Sequence, residues 1–230
     1  MLKISEWDTK ETPTELEIIQ SIKCVLDQND PGGAYNSEFN HNSFKWLLPK
    51  IPMLYRYAFE GRVMLDGDQT WEGLFTDAVQ DLIAVVALQR CLYDFLRELE
   101  NFEVNPVPAE MLLIAIIARI KLDSYLKVGY IDIDDCPPVG MIPRYSDLPG
   151  LTRKELAVLA KLSERSVQND TTESQGRRLK LETTTMADYG NQVEMRFAPF
   201  SEAKAYLDGK KRYQPTQRNT SNIEETIFAK

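Results

Sequence analysis

Ser163, Arg165, Ser166, Gln168 and Asn169 stand close together in one short polar stretch. Arg, Gln and Asn carry donors and acceptors that match base edges in the major groove of DNA, and Ser hydroxyls suit phosphates as well. Arg177, Arg178 and Lys180 follow closely and could supply positive charge to a phosphate backbone. Catalytic chemistry is not spelled out in the same way. His41, the single histidine, lies in a polar stretch before apolar residues, where a surface or capping role is commoner than catalysis. No acid, base and nucleophile set is visible by spacing, and no Walker motif, dinucleotide-binding glycine pattern or HExxH occurs. Asp132, Asp134 and Asp135 form the tightest carboxylate cluster, but the glycine and terminal Glu of a calcium loop are missing. Cys24, Cys91 and Cys136 are far apart and lack CxxC spacing, so neither a disulfide framework nor a thiolate metal site is indicated. The expectation is a binding protein without metal or cofactor, not an enzyme.

The polar stretch belongs to a longer segment, Leu151 to Asp170, whose local signals agree. Thr152 followed by Glu155 is a capping box, and Leu151 and Leu156 are placed to close a hydrophobic staple. Leu156, Ala157, Leu159 and Ala160 give the helix that starts there an apolar face. Ser163 can cap a second helix in which Val167 is the one well-placed apolar residue, so its remaining face is free for a partner. The order Glu155, Leu156, Ala157, Lys161, Leu162, Ser163, Val167 resembles the helix-turn-helix superfamily of bacterial transcriptional regulators. The family often has Gly where this chain has Lys161, so the turn must accommodate a side chain. The resemblance implies that the first helix braces the second, which enters the major groove of double-stranded DNA. A helical hairpin using the same caps only for packing is the structural alternative.

The chain has 230 residues, 27 basic and 35 acidic, for a net charge of −8. Residues 1–150 hold 13 basic and 24 acidic residues, net −11, against 14 and 11 in residues 151–230, net +3. An acidic body joined to a mildly basic part suits a DNA-binding region attached to another module. No apolar run is long enough to span a membrane, and the first residues lack the apolar core of a signal peptide. A cytoplasmic protein is expected.

After a polar arm, Leu16, Ile18, Ile19, Ile22, Val25 and Leu26 predict a helix from Thr14 that stops before Asp30-Pro31-Gly32-Gly33. Pro49 and Pro52 predict two short helices between Phe44 and Phe59. Trp71 to Leu99 predicts a long central helix, apolar all round from Leu82 to Leu88 and therefore covered on more than one side. Pro106 and Pro108 start another helix that ends near Gly129.

Beyond the helix pair, alternation at Leu179 and Leu181, and again at Val193, Met195 and Phe197, predicts two strands joined by Thr183 to Gln192 with Gly190 near the tip. Such a hairpin would form a wing, or merely cover a core. Ser201 is expected to cap a last helix that stops at Gly209, and Lys210, Lys211 and Arg212 follow.

The fold expected is mainly α: a helical N-terminal domain followed by a winged helix-turn-helix-like α+β C-terminal domain. The divisions are residues 1–130, an acidic all-α domain for oligomerisation or sensing; 131–150, a proline-rich linker; 151–212, the winged unit; and 213–230, a flexible tail. The function expected is DNA binding as a homodimeric regulator. The alternative is a module that uses the same fold to bind a protein, and an effector site near Trp46 and Trp71 is a third possibility.

Overall fold

A computed structural model describes residues 12–28, 46–63, 71–96, 105–128, 148–172, 178–188 and 191–217. The chain is mainly helical with a small three-stranded antiparallel sheet. Helix α1 spans Glu15–Gln28, and Thr14 and Glu17 form a capping box at its start: Glu17 Oε2 accepts from the Thr14 amide at 2.7 Å and Thr14 Oγ1 from the Glu17 amide at 3.2 Å. Its inner face buries Ile18 and Ile22, while Leu16 is exposed.

The segment around Pro49 and Pro52 differs from the two helices expected. A 3-10 turn at Leu48–Lys50 runs into α2, Ile51–Tyr55, and then into a π-helical turn, Arg56–Glu60. Each proline stands in the first turn of its piece, where no intrahelical N–H is required, so the chain stays right-handed throughout. Gly61, with φ 67°, ends the run. A Cβ on Gly61 would lie 2.4 Å from the Pro215 carbonyl oxygen, so glycine is required there both by conformation and by contact.

Helix α3, Trp71–Leu96, buries Phe75, Ala78, Val79, Leu82, Val85 and Val86. Its middle, expected to be covered on more than one side, packs into the core through Leu82, Val85 and Val86, while among the described residues Ala84 and Ala87 are exposed. Small side chains lose little by facing water, which is why the run could be apolar without being enclosed.

Helix α4, Val107–Leu126, is the spine. Its side chains are buried without interruption from Ala109 to Asp123. One core cluster joins Met111 to Ile117 and Ile120 to α1, α2, α3 and the π turn, and the other joins Ala118 and Leu122 to the C-terminal elements. Those elements are β1, Gly150–Thr152; α5, Arg153–Ala160; α6, Glu164–Asp170; β2, Glu182–Asp188; β3, Asn191–Pro199; and α7, Phe200–Asp208. Val158 of α5 reaches the first cluster while Leu156 and Leu159 belong to the second.

The sheet order is β1-β3-β2. Strand β1 pairs with the end of β3, Gly150↔Pro199 to Thr152↔Phe197, and was not expected from sequence. Gly150 permits this approach, since a Cβ there would meet the Ala198 carbonyl oxygen at 2.0 Å. Strand β2 begins after Leu179 and Leu181 and runs through Thr183, Thr184, Thr185 and Met186, the residues expected to form the turn. Branched threonines fit a pleated strand well, so the hairpin extends to Asp188↔Asn191. Gly190 falls between these paired residues and lies outside the described residues. Ser201 is inside α7 and does not cap it; Pro199 occupies that position without a side-chain cap.

Four ionic side chains in α4 are buried: Glu110 near its start, beside Arg90 and Lys154, and Arg119, Lys121 and Asp123 towards its end. Lys121 Nζ lies 3.1 Å and 3.3 Å from the two carboxylate oxygens of Glu155, each side chain being 1% exposed. Glu155 is the acid of the α5 capping box and also accepts from the Thr152 amide at 2.6 Å. Arg119 donates to the carbonyls of Ala58 and Gln214 and to Thr216 Oγ1, all at 3.0 Å. Asp123 accepts from Thr216 Oγ1 at 2.7 Å and from the Tyr57 hydroxyl at 3.1 Å. Burial pushes the Asp123 carboxyl above the usual carboxylate range against the opposing pull of Arg119, Thr216 and Tyr57.

These bonds correct the expectation of a flexible tail from residue 213. Tyr213 is buried, Thr216 bridges Arg119 and Asp123, and Gln217 donates its amide to the Gly61 carbonyl at 2.9 Å. Residues 218–230 lie outside the described residues.

Breaking the buried pair should cost far more than removing it whole. Lys121→Met leaves the Glu155 carboxylate buried and is expected to lower unfolding stability in urea by about 3–5 kcal/mol. Lys121→Met with Glu155→Gln, which keeps the capping box, should recover part of that loss. A loss under about 1 kcal/mol in the single variant would contradict this account.

Candidate nucleic-acid interface

Thr152 starts α5 as expected, with its hydroxyl accepting from the Glu155 amide at 3.3 Å. The helix ends at Lys161, whose φ of 55° puts it in the left-handed region where the resemblance called for Gly. Leu162 donates its amide to the Ala157 carbonyl at 2.9 Å and Lys161 to Val158 at 3.2 Å, a Schellman turn. The turn therefore does accommodate a side chain, at a backbone cost of about 1–2 kcal/mol relative to right-handed geometry.

Ser163 caps α6: its Oγ accepts from the Ser166 amide at 3.1 Å and lies 2.9 Å from Ser166 Oγ. Ser163 is itself buried, so its hydroxyl serves the helix end. Helix α6 is seven residues long and buries only Val167. Arg165, Ser166, Gln168 and Asn169 are all exposed, and Glu164 is half-buried. The structure thus gathers these four side chains on one short helix whose single apolar residue roots it in the core.

The C-terminal end of α6 is tied down from three directions. Thr171 Oγ1 and Thr172 Oγ1 donate to the Gln168 carbonyl at 2.6 Å and 3.1 Å. The amides of Arg178 and Leu179 donate to the Asp170 carbonyl at 2.8 Å and 3.1 Å, which fixes the chain entering β2. The Asp170 carboxylate accepts from the Tyr206 hydroxyl and from Lys210 Nζ, both at 2.8 Å, with Arg178 at 3.9 Å. Partial burial raises the Asp170 carboxyl, but the hydrogen bonds from Lys210 and Tyr206 and the charges of Lys210 and Arg178 together hold it below the usual range. Burial and the same bond push the Tyr206 hydroxyl well above its ordinary value.

Arg178 and Lys180 are exposed beside α6, whereas Arg177 lies outside the described residues. On the hairpin, Glu182, Glu194 and Arg196 are exposed, and Arg196 Nε is 3.7 Å from Glu194. The exposed residues of α6 and of the hairpin therefore carry both signs of charge.

Sequence reasoning passed over Asp170 as an anchor and over the Lys121–Glu155 pair. The available signal was chemical: Glu110, Arg119, Lys121 and Asp123 interrupt a mostly apolar helix, and such residues need partners. His41 and the cluster Asp132, Asp134 and Asp135 lie outside the described residues, as does Cys136. Cys91 is exposed. Trp46 is 68% exposed, and the Trp71 side chain lies outside the described residues. Among the described residues no group of three His, Cys, Asp or Glu side chains is placed to hold a metal ion. No helix among them is long and apolar enough to cross a membrane.

No protein-family model matches the chain, and no curated protein or solved structure matches it.

The Asp170 anchor makes a pH prediction. A carboxyl held low in the folded chain contributes stability that is present above its unfolded value and is lost as pH falls through the folded one. Asp170→Asn should cost about 1–2 kcal/mol at neutral pH, and the gap to the unmodified chain should close as pH drops below about 4. Urea unfolding at pH 7 and pH 3 reads both, and an equal gap at the two values would contradict the assignment.

Proposed function

We propose that the chain binds double-stranded DNA through a winged helix-turn-helix, with α6 as the helix that enters the major groove. The observation that carries this reading is the division of α6: Val167 alone is buried, and Arg165, Ser166, Gln168 and Asn169 face outward. The element order β1, α5, α6, β2, β3 with sheet order β1-β3-β2 supports the same reading, because it sets a hairpin directly after the exposed helix. In this reading Arg165, Gln168 and Asn169 contact base edges. Ser166, Arg178 and Lys180 contact phosphates, with Arg177 beside them, and Ser163 acts by holding the helix start. The protein works in the cytoplasm as a transcriptional regulator, and two copies read paired half-sites.

A second reading, a protein-interaction module on the same fold, is favoured by one specific observation. The hairpin exposes Glu182 and Glu194, and Arg196 sits beside Glu194. A phosphate-binding wing would carry an excess of cations.

Fluorescence anisotropy of the full chain with the DNA upstream of its own gene, against random competitor, separates the two. The DNA reading expects affinity that falls steeply with salt, and a loss of about 1–3 kcal/mol of discrimination in each of Arg165→Ala and Gln168→Ala. Binding no tighter than to random competitor, unchanged by both substitutions, favours the protein-interaction reading.

A further inference from the structure

Helix α6 sorts its side chains by charge as well as by burial. Successive side chains of an α-helix are about 100° apart around the axis, so Arg165 and Asn169, both exposed, each lie about 160° from the buried Val167. They form the ridge that faces directly away from the core. Glu164 and Asp170 lie about 60° from Val167, one on each side, and both are half-buried. The Asp170 carboxylate accepts from Lys210 at 2.8 Å. Burial lowers the Lys154 ammonium below its usual range and the charges of Glu110 and Glu164 oppose this, so Glu164 also has a cation nearby. The outward ridge thus carries a guanidinium and a carboxamide and no carboxylate. Ser166 and Gln168 flank it, each about 100° from Val167. Ser166 Oγ is 2.9 Å from Ser163 Oγ and is tied to the helix start.

Both ends of α6 are fixed, by the Ser163 cap and by the Asp170 anchor, so the spacing along the ridge is fixed as well. Four residues at about 1.5 Å each set Arg165 and Asn169 about 6 Å apart along the axis. Base pairs stack about 3.4 Å apart, so the two side chains would meet pairs about two steps apart. In the major groove a guanidinium matches guanine O6 and N7 with two donors, and a carboxamide matches adenine N6 and N7 with one acceptor and one donor. We propose that Arg165 and Asn169 together choose the DNA sequence, Arg165 selecting a guanine and Asn169 an adenine about two base pairs away. Resting on the DNA reading above, this assignment fixes what each half-site must contain: a G·C pair and an A·T pair with about one pair between them. Gln168 flanks Arg165 and serves a third pair, and Ser166 stays with the phosphates.

Selection of bound duplexes from a random-sequence pool by the full chain, followed by sequencing, tests it. The expected motif holds a G·C pair and an A·T pair about two steps apart. Arg165→Ala should reduce the preference at the guanine position about fivefold or more and leave the adenine position selected, and Asn169→Ala should do the reverse. Arg165→Lys, which keeps donors for the same guanine atoms, should retain part of the guanine preference. Both positions are exposed, and circular dichroism melting of each variant separates a lost contact from a lost fold. A motif that lacks either base at this spacing, or whose two positions do not respond separately to the two alanine variants, overturns the assignment while DNA binding stands. No enrichment over the starting pool overturns the DNA reading itself, and the assignment falls with it.

Discussion

A charged side chain buried on an apolar helix needs partners, and α4 carries four such side chains. Glu110 has Arg90 of α3 and Lys154 of α5 within 3.6 Å and 3.8 Å. Lys121 finds the capping acid of α5. Arg119 finds the π turn on one side and residues 213–217 on the other, and Asp123 joins the same two segments through Tyr57 and Thr216. The partners come from the N-terminal helices, the helix pair and the end of the described chain. Satisfying α4 therefore fixes all three relative to one another. The apolar contacts point the same way, since α4 contributes residues to both core clusters and Val158 of α5 crosses from one to the other.

The exposed face of α6 depends on this frame. A helix of seven residues is too short to be stable by itself, so its position comes from what it touches. Its start is set by Ser163 and by the Schellman turn at Lys161, which in turn follows from α5 and hence from Glu155 and Lys121. Its end is set by Asp170, held by Tyr206 and Lys210 of the region that leads directly into the buried Tyr213. Both ends of α6 thus trace back to α4 through different routes. What remains outward is a set of side chains that hydrogen-bond without needing burial.

The local devices were legible in the sequence because their causes are local. Thr152 with Glu155, Ser163 before a polar run, Val167 as a lone apolar residue and the side chain at Lys161 each declare themselves within a few positions. The long-range pairings were not. Strand β1 is three residues long and exists only because Gly150 lets the chain approach Ala198. Thr183 to Met186 read as a turn because they are polar, although branched side chains favour a strand once β3 lies alongside. Ser201 resembled a cap, but Pro199 starts α7 earlier. The partners of Arg119 and Asp123 lie far along the chain from them, and no periodicity reports such a distance. Arg119 read as the end of an apolar run, whereas it is the residue around which residues 213–217 are folded.

If α4 joins the parts as described, the chain should unfold as a unit. The direct measurement is urea unfolding of the full chain followed at once by tryptophan fluorescence and by hydrogen exchange of the α5 and α6 amides. All three tryptophans, Trp7, Trp46 and Trp71, fall in the first 71 residues of the sequence, ahead of α4. Coincident transitions with one midpoint are the predicted result. An α5–α6 transition at clearly lower urea than the fluorescence change would contradict the account, because it would mean that the buried charges of α4 do not couple the helix pair to the rest of the fold.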